Sequence, residues 1–305
     1  MMSDPNATAQ LATVKRELLV RHLEAWAPAA LHRGRRVIYA HGYADGDGGA
    51  AAEAALRVLC EQDPVRGREL SMVAVGGDLS TLEKRLAEVQ REAGAGSQLA
   101  VHTISGGTGA RLGVALQAAG AQRVPLLGYL DAASASEPPA PATVAGLTIG
   151  KPAEMLLVLA PGESAEPYRA RWPLFTQVEL ATGDEPGELL AFGTAAGKSL
   201  EAFKEALWAV DEFAGVRYRD PGDPDRHLID ISLTPHPGPL RRELLAHLAE
   251  AGQATVTELR TFALTSTVYR AADATRVLHT LIDTGMVRRD PDHGRLGGDV
   301  LIAPA

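Results

Sequence analysis

The segment from Arg35 to Arg57 constrains the fold of this chain more than any other stretch. Its sequence is RRVIYAHGYADGDGGAAAEAALR, in which an apolar run at 37–40 leads into a glycine-rich loop and then an alanine-rich helical pattern. This order of strand, tight loop and helix predicts a ligand-binding loop at the carboxyl end of a parallel strand. The glycines depart from the spacing G-x-G-x-x-G, and the acids Asp45 and Asp47 lie inside the loop.

Short apolar runs alternate with helical patterns through the first half of the chain, which predicts an α/β fold with a parallel sheet covered on both faces. The predicted strands are 37–40, 69–75, 98–104, 123–130 and 153–160, and the predicted helices are 11–28, 50–61, 79–93, one ending at 119, and 199–213. Two later runs, 216–219 and 227–233, are joined by DPGDPD, which predicts an antiparallel hairpin at the end of the sheet.

Three prolines in the stretch from Thr234 to Pro239 predict a domain boundary, with one domain at 1–234 and a second at 235–305. The second domain has three helical patterns followed by two short strands, which is typical of a winged-helix domain. These predicted helices are 240–251, 257–264 and 269–284, with a short apolar piece at 254–256, and the predicted strands are 286–289 and 299–302.

Composition narrows the functional classes. The 305 residues carry a net charge of -8, which disfavours non-specific nucleic-acid binding because that binding depends on neutralising phosphates. Cys60 is the only cysteine, so an internal disulfide is excluded and a packed, small apolar role is predicted for it. The sequence contains neither a membrane-length apolar segment nor a basic stretch followed by an apolar core at its start, which predicts a cytoplasmic protein.

Four segments together resemble the three-Cys-motif partner protein (TcmP) family. They are VKRELLVRHLEAW, IYAHGYADGDG, LLGYLDAASASEPPAPATVAGL and HLIDISLTP, similar in turn to the family's first helix, its YIDGFAGPG-like loop, its FLDPFG-like motif and its last strand. The resemblance implies a Rossmann-like class I methyltransferase sheet with an antiparallel last strand, plus a C-terminal winged-helix domain. It also implies S-adenosylmethionine as cofactor and, from the family's name, a separate protein partner that carries three cysteines.

The resemblance assigns cofactor-binding roles at the carboxyl edge of the sheet, and a second glycine-rich loop, SGGTGARLG, adds an anion-binding candidate at a helix N-terminus. Asp131 is the candidate catalytic residue, because the family's aspartate at this position precedes Pro-Phe-Gly in a motif that holds a target amine. The candidate cofactor-binding residues are His41, Gly42, Asp45, Gly46, Asp78, Gly107 and Gly109.

The chain departs from the family pattern in all four motifs. His41 replaces an aspartate, and Asp45-Gly46-Asp47 replaces Gly-Pro-Gly. The acid expected at the end of the second strand comes late, at Asp78, and the segment 131–134 reads Asp-Ala-Ala-Ser in place of Asp-Pro-Phe-Gly. These departures leave two alternatives, in which S-adenosylmethionine binding is either retained or lost.

Three functions follow from these observations. The first is a degenerate methyltransferase-like protein that acts as a non-catalytic or altered binding or regulatory partner. The alternative is an active S-adenosylmethionine-dependent methyltransferase on nucleic acid or protein, with Asp131 at the target amine. The weaker alternative is a winged-helix transcriptional regulator.

The predicted second domain is electrically neutral, with eight arginines and eight acids from 236 to 305, which favours a protein partner or a homodimer over nucleic acid. The candidate partner or nucleic-acid contacts are Tyr269, Arg270, Arg276, Arg288, Arg289 and Arg295.

No metal site is predicted, since Asp45 and Asp47 lack the distal glutamate of a calcium loop. A surface or structural role is predicted for His227. The segment FGTAAGKS lacks the P-loop spacing and predicts a helix start with Ser199 near its cap.

Overall fold

A computed structural model describes residues 5–62, 67–94, 99–210, 215–232 and 234–305. It confirms an α/β fold built on one large mixed sheet of nine strands in the order β3-β2-β1-β4-β5-β7-β6-β8-β9. These strands are β1 (Arg36–Gly42), β2 (Glu69–Gly76), β3 (Leu99–Ser105), β4 (Leu126–Asp131), β5 (Ala153–Leu159), β6 (Leu174–Ala181), β7 (Glu188–Thr194), β8 (Arg217–Arg219) and β9 (Leu228–Ile229). The predicted positions 98, 211–213 and 233, at the ends of three elements, lie outside the described residues.

Strands β1 to β5 are mutually parallel, as the alternation of strands and helices predicts. Successive residues of β1 face opposite sides of the sheet: Val37 and Tyr39 join one apolar cluster, whereas Ile38 and Ala40 join the other. Both faces are covered by helices, so strands buried on two sides appear in the sequence as continuous apolar runs. The helices of this unit are α1 (Pro5–Arg33), α2 (Ala50–Cys60), α3 (Ser80–Glu92), α4 (Thr108–Ala118), α5 (Pro141–Ala145), α6 (Glu166–Arg169) and α7 (Gly197–Trp208), with a 3₁₀ turn at Gly146–Ile149.

The first helix is longer than predicted. A proline inside a helix removes one backbone hydrogen bond and usually ends or kinks it, which is why the sequence predicts an end at Pro28. The structure instead continues α1 through Pro28 to Arg33. Ala30 and Leu31, beyond the proline, are buried in the same core as Leu23, and their burial offsets the lost hydrogen bond.

The antiparallel part of the sheet corrects the predicted hairpin. The main antiparallel pair is β6 and β7, in a segment where no strand was predicted, and β7 inserts between β5 and β6. The predicted pair at 216–219 and 227–233 corresponds to β8 and β9, which form only a short antiparallel extension at the edge of the sheet. The FGTAAGKS segment spans the end of β7 and the start of α7, as predicted for its helical part, although α7 is capped at Ala196 rather than Ser199.

The C-terminal elements match their predicted order of three helices and a β-hairpin, with small shifts of their ends. They are α8 (Gly238–Ala251), β10 (Ala254–Thr255), α9 (Val256–Ser266), α10 (Ala271–Asp283), β11 (Val287–Asp290) and β12 (Leu301–Pro304). The three strands form a separate sheet in the order β10-β12-β11. Helix α9 begins with a capping box, in which Thr255 accepts the N–H of Glu258 and Glu258 accepts the N–H of Thr255.

The large sheet and the C-terminal elements share one apolar cluster. Trp208, at the end of α7, is fully buried and donates its indole N–H to the Val268 carbonyl at 3.0 Å. Its ring stacks on Tyr269 at 5.7 Å and meets Tyr218 edge-on at 5.5 Å. Lys204, one turn earlier, donates to the Thr267 carbonyl at 2.5 Å, and burial lowers the pKa of this lysine to about 7.

Two further predictions concern the packing of Cys60 and the length of the helices. Cys60 is partly buried against the main core, in agreement with its predicted packing role. None of the helices in the described part of the chain combines the length and apolar character needed to cross a bilayer.

Trp208 provides a test of the contact between the unit built on the large sheet (α1–α7 and β1–β9) and the C-terminal unit (α8–α10 and β10–β12). We expect Trp208→Ala to lower the free energy of unfolding by about 4 kcal/mol, because it removes a large buried ring and leaves a cavity. Trp208→Phe, which keeps most of the ring but loses the indole N–H, should cost only about 1–2 kcal/mol. Urea denaturation followed by circular dichroism measures both, and equal losses in the two variants would contradict this account.

Candidate functional site

The loop after β1 lies at the carboxyl edge of the parallel strands and is held there by its own first acid. The Asp45 carboxylate accepts the Gly77 N–H at 3.0 Å, just beyond the end of β2. A Cβ atom on Gly76 would lie 2.4 Å from Asp45 Oδ1, so the carboxylate rests directly against the backbone there. A carboxylate therefore does lie at the end of β2, as the resemblance requires, but it comes from the loop after β1.

The second acid of the loop, Asp47, binds the start of α2. Its two carboxylate oxygens accept the N–H groups of Gly49 at 3.0 Å and Ala51 at 2.8 Å. Backbone N–H groups at a helix N-terminus are the donors that commonly bind anionic ligands. Here the chain's own carboxylate satisfies two of them. Arg85 lies beside this loop, where it donates a hydrogen bond to the Gly48 carbonyl and forms an ion pair with the Glu53 carboxylate.

The backbone beneath this loop is tightly packed. A Cβ atom on Gly42 would lie 2.4 Å from Leu130 Cδ2 and 2.8 Å from Thr108 Cγ2, so only glycine fits. The Thr108 hydroxyl accepts the Tyr43 N–H at 2.7 Å and donates to the Val75 carbonyl at 3.1 Å, which ties together the ends of β1 and β2 and the start of α4. Gly42 thus has a packing role and does not present an open backbone to a ligand.

His41 lies below the surface of the edge, where it is only 2% exposed. Its Nδ1 atom shares a 2.7 Å hydrogen bond with the Tyr39 hydroxyl, and its ring meets Tyr129 edge-on at 5.0 Å. Burial lowers the pKa of His41 to about 4, although Asp47 and Asp131 oppose that shift. The imidazole is therefore neutral and enclosed, and it presents no charge at the edge where the resemblance places a cofactor.

Asp131, the candidate catalytic residue, ends β4 and lies in an ion-pair network. Lys15 of α1 places its ammonium 2.8 Å from Asp131 Oδ2 and 2.8 Å from Glu188 Oε2 of β7. Asp131 also accepts the Tyr129 hydroxyl at 3.2 Å and the Ala133 N–H at 3.2 Å. Burial lowers the pKa of Lys15, but the two carboxylates raise it by more, so Lys15 is firmly protonated.

The remaining predicted cofactor residues spread around this edge. Asp78 points to solvent, where its carboxylate accepts the Ser80 N–H at the start of α3, so its predicted place facing a cofactor is not borne out by its orientation. Gly46 is exposed, and a Cβ atom there would lie 3.3 Å from the Ser134 hydroxyl, in the segment after β4. Gly107 donates its N–H to the Gly76 carbonyl at 2.8 Å, whereas Gly109 has open space beside it.

The predicted contacts on the C-terminal unit divide into buried and exposed residues. Tyr269 is 1% exposed and Arg270 is 9% exposed, both in the contact with α7, so their prediction as surface contacts is wrong. Arg270 binds Asp273 and Glu205, and Arg276 also pairs with Asp273. On the β11–β12 hairpin, Arg289 donates to carbonyls of its own turn, for example Pro291 O at 2.8 Å.

Arg288 and Arg295 are exposed on that hairpin. The structure thus does not gather the six predicted residues on one surface, because Tyr269 and Arg270 are buried just before α10 whereas Arg276 on that helix is exposed.

Two groups of charged residues were not predicted from the sequence to act together. Lys15 and Glu188 complete the network at Asp131, but nothing in their local sequence distinguishes them from other charged residues of an amphipathic helix and a strand end. Asp223, Asp225 and His227, between β8 and β9, have ligand atoms that all lie within 4.8 Å of one another. Their alternate spacing in DPDRH was a usable signal, which the interpretation of DPGDPD as a plain turn obscured.

The buried imidazole makes the stability of this edge dependent on pH. The unfolded chain protonates His41 near its ordinary pKa of 6.5, whereas the folded chain keeps it neutral down to about 4. The unfolded state therefore binds more protons in this range, and the folded state loses stability as the pH falls from 6.5 towards 4, by roughly 3 kcal/mol in total. We expect His41→Gln to remove this component.

The measurement is urea denaturation of the wild type and His41→Gln at neutral pH and at acid pH, compared as a difference between the two proteins. His102→Gln, at an exposed histidine of β3, is the matched control and should retain the wild-type profile. An unchanged profile in His41→Gln would refute the buried neutral imidazole.

No protein-family model matches the chain. A search among curated proteins finds no match either.

Proposed function

We propose that this chain is a methyltransferase-like protein that does not catalyse methyl transfer and acts as a binding or regulatory partner, with its cofactor site filled by its own side chains. One observation carries the proposal: Asp45 and Asp47 already accept the backbone N–H groups at the end of β2 and the start of α2. A bound S-adenosylmethionine would have to displace these intramolecular hydrogen bonds. The residues present therefore fit that cofactor poorly.

The arrangement of the sheet supports the methyltransferase-like part of the proposal. The order β3-β2-β1-β4-β5-β7-β6 has one antiparallel strand, β7, inserted next to β5. A parallel sheet closed by an antiparallel strand is the arrangement that the TcmP resemblance implies. The C-terminal order of helix, strand, two helices and a hairpin likewise supports a winged-helix domain.

The state of Asp131 favours this proposal over an active methyltransferase. A carboxylate that holds a target amine must leave an oxygen available to the substrate. Asp131 Oδ2 is paired with Lys15 and Tyr129, Oδ1 accepts the Ala133 N–H, and the side chain is 17% exposed. A substrate amine would compete with an ammonium that is already in place, so a structural role for Asp131 explains its contacts better.

The partner surface that we propose lies on the C-terminal unit, at the β11–β12 hairpin with the exposed Arg288 and Arg295. Equal numbers of arginines and acids from 236 to 305 give this unit no positive excess. Nucleic-acid binding relies on such an excess, so a protein partner, or a second copy of this chain, fits the unit better than DNA or RNA.

Calorimetry with S-adenosylmethionine and with S-adenosylhomocysteine tests the proposal. We expect neither compound to bind the wild-type protein at millimolar concentration, since both would have to replace the contacts of Asp45 and Asp47. Asp45→Gly should increase affinity by freeing the Gly77 N–H, whereas Asp78→Asn, at an exposed acid nearby, should have no effect.

Sub-millimolar binding to the wild type would contradict the proposal. If Asp45→Gly then weakened that binding, Asp45 would be a cofactor ligand, and the active methyltransferase would become the better interpretation.

The structural role of Asp131 can be tested through its cation. We expect Lys15→Met to lower the free energy of unfolding by about 3 kcal/mol, because it leaves two largely buried carboxylates without a counter-charge. Lys84→Met, at an exposed lysine of α3, should change it by less than about 0.5 kcal/mol. Adding Asp131→Asn to Lys15→Met should recover part of the loss in urea denaturation, and no recovery would argue against the network.

A further inference from the structure

The loop between β8 and β9 gathers three side chains that are common metal ligands. Asp223, Asp225 and His227 have ligand atoms that lie within 4.8 Å of one another. His227 Nδ1 and Asp223 Oδ2 are 2.7 Å apart, and the backbone N–H groups of Asp225 and His227 also bind the Asp223 carboxylate. The three side chains are therefore close enough to bind one ion together.

A fourth carboxylate nearby provides an independent indication of a missing partner. Asp220 is 9% exposed, its Oδ1 atom accepts the Gly222 N–H at 2.8 Å, and its Oδ2 atom accepts no hydrogen bond of normal geometry. Burial raises the pKa of Asp220, although the Gly222 N–H, the nearby Lys204 and the Val268 N–H oppose that shift. A buried carboxylate oxygen without a partner is costly, and a cation nearby would offset that cost.

Asp220 lines the same cavity as the three loop residues. This cavity, about 430 Å³ in volume, lies between the β8–β9 loop and helices α8 and α9. Five carboxylates line it against a single arginine: Asp220, Asp223, Asp225, Glu243 and Glu250 with Arg242. Such a concentration of negative charge in a partly enclosed space attracts cations and repels anions.

We propose that Asp223, Asp225 and His227 bind one divalent transition-metal ion, with Asp220 and the other acids of the cavity contributing the surrounding negative charge. Two carboxylates and one imidazole suit Zn²⁺ or Mn²⁺, whereas Mg²⁺ and Ca²⁺ prefer oxygen ligands alone. Zn²⁺ fits best because it is commonly held by three protein ligands and completes its coordination with water.

The ion takes the place of the hydrogen bond between His227 and Asp223. His227 has a half-exposed side chain and Asp225 is exposed, so both can adjust to the ion without disturbing the core. The bound ion joins the loop to a cavity whose other wall is α8. Metal binding is therefore expected to stabilise the contact between the two units, because a ligand that binds only the folded state raises the melting temperature.

Calorimetry with ZnCl₂ on the untagged, metal-free full chain tests the proposal. We expect saturable binding of one ion per chain at sub-millimolar affinity, with a rise in melting temperature. Asp225→Asn and His227→Gln should each weaken binding at least about tenfold. Asp292→Asn and His293→Gln are matched controls, since this exposed Asp–His pair lies outside the cavity, and they should bind as the wild type does.

Three results would overturn the proposal. The first is the absence of saturable binding to the wild type, and the second is wild-type affinity in both loop variants. The third is displacement of the bound ion by equimolar Mg²⁺, which would show that the site does not prefer a transition metal. The metal-free melting temperatures of the variants establish that they fold, and both substitutions lie at exposed positions where folding is expected to be unaffected.

Discussion

The ammonium of Lys15 is the contact on which the carboxyl edge of this protein depends. It lies between the carboxylates of Asp131 and Glu188, which come from the end of β4 and the start of β7. Two carboxylates with side-chain exposures of 17% and 13% repel each other unless a cation separates them. Lys15 thereby joins α1, β4 and β7, which are distant in sequence, at one place.

Helix α1 is held at the opposite edge of the sheet by a second buried pair. His22, two turns after Lys15, lies 3.2 Å from Glu154 at the start of β5, and the same carboxylate accepts the Ser199 hydroxyl at 2.6 Å. The leucines between these contacts, Leu18 and Leu19, are fully buried. The helix is thus attached at both ends of the strands and packed in between, which fixes its register on the sheet.

The fold was largely predictable because its signals are local. Each parallel strand is a short apolar run bounded by glycine or a polar turn, and the C-terminal helices have clear periodicity. Strand β6 escaped prediction because residues such as Thr176, Gln177 and Glu179 interrupt its apolar pattern. Glu179 is buried with its carboxylate bound by Arg219, Arg226 and the Gly187 N–H. Such an ion pair across the sheet has no local sequence signature.

The candidate site was less predictable for the same reason. The sequence located Asp45, Asp47 and Asp131 at the correct edge, but it could not show that backbone N–H groups and Lys15 already satisfy them. Arg270 illustrates the converse error: it was predicted as a surface contact, yet at the N-cap of α10 it is buried and binds Asp273 and Glu205. In both cases charged residues that suggest binding hold the protein's own elements together, whereas the hairpin residues Arg288 and Arg295 remain exposed.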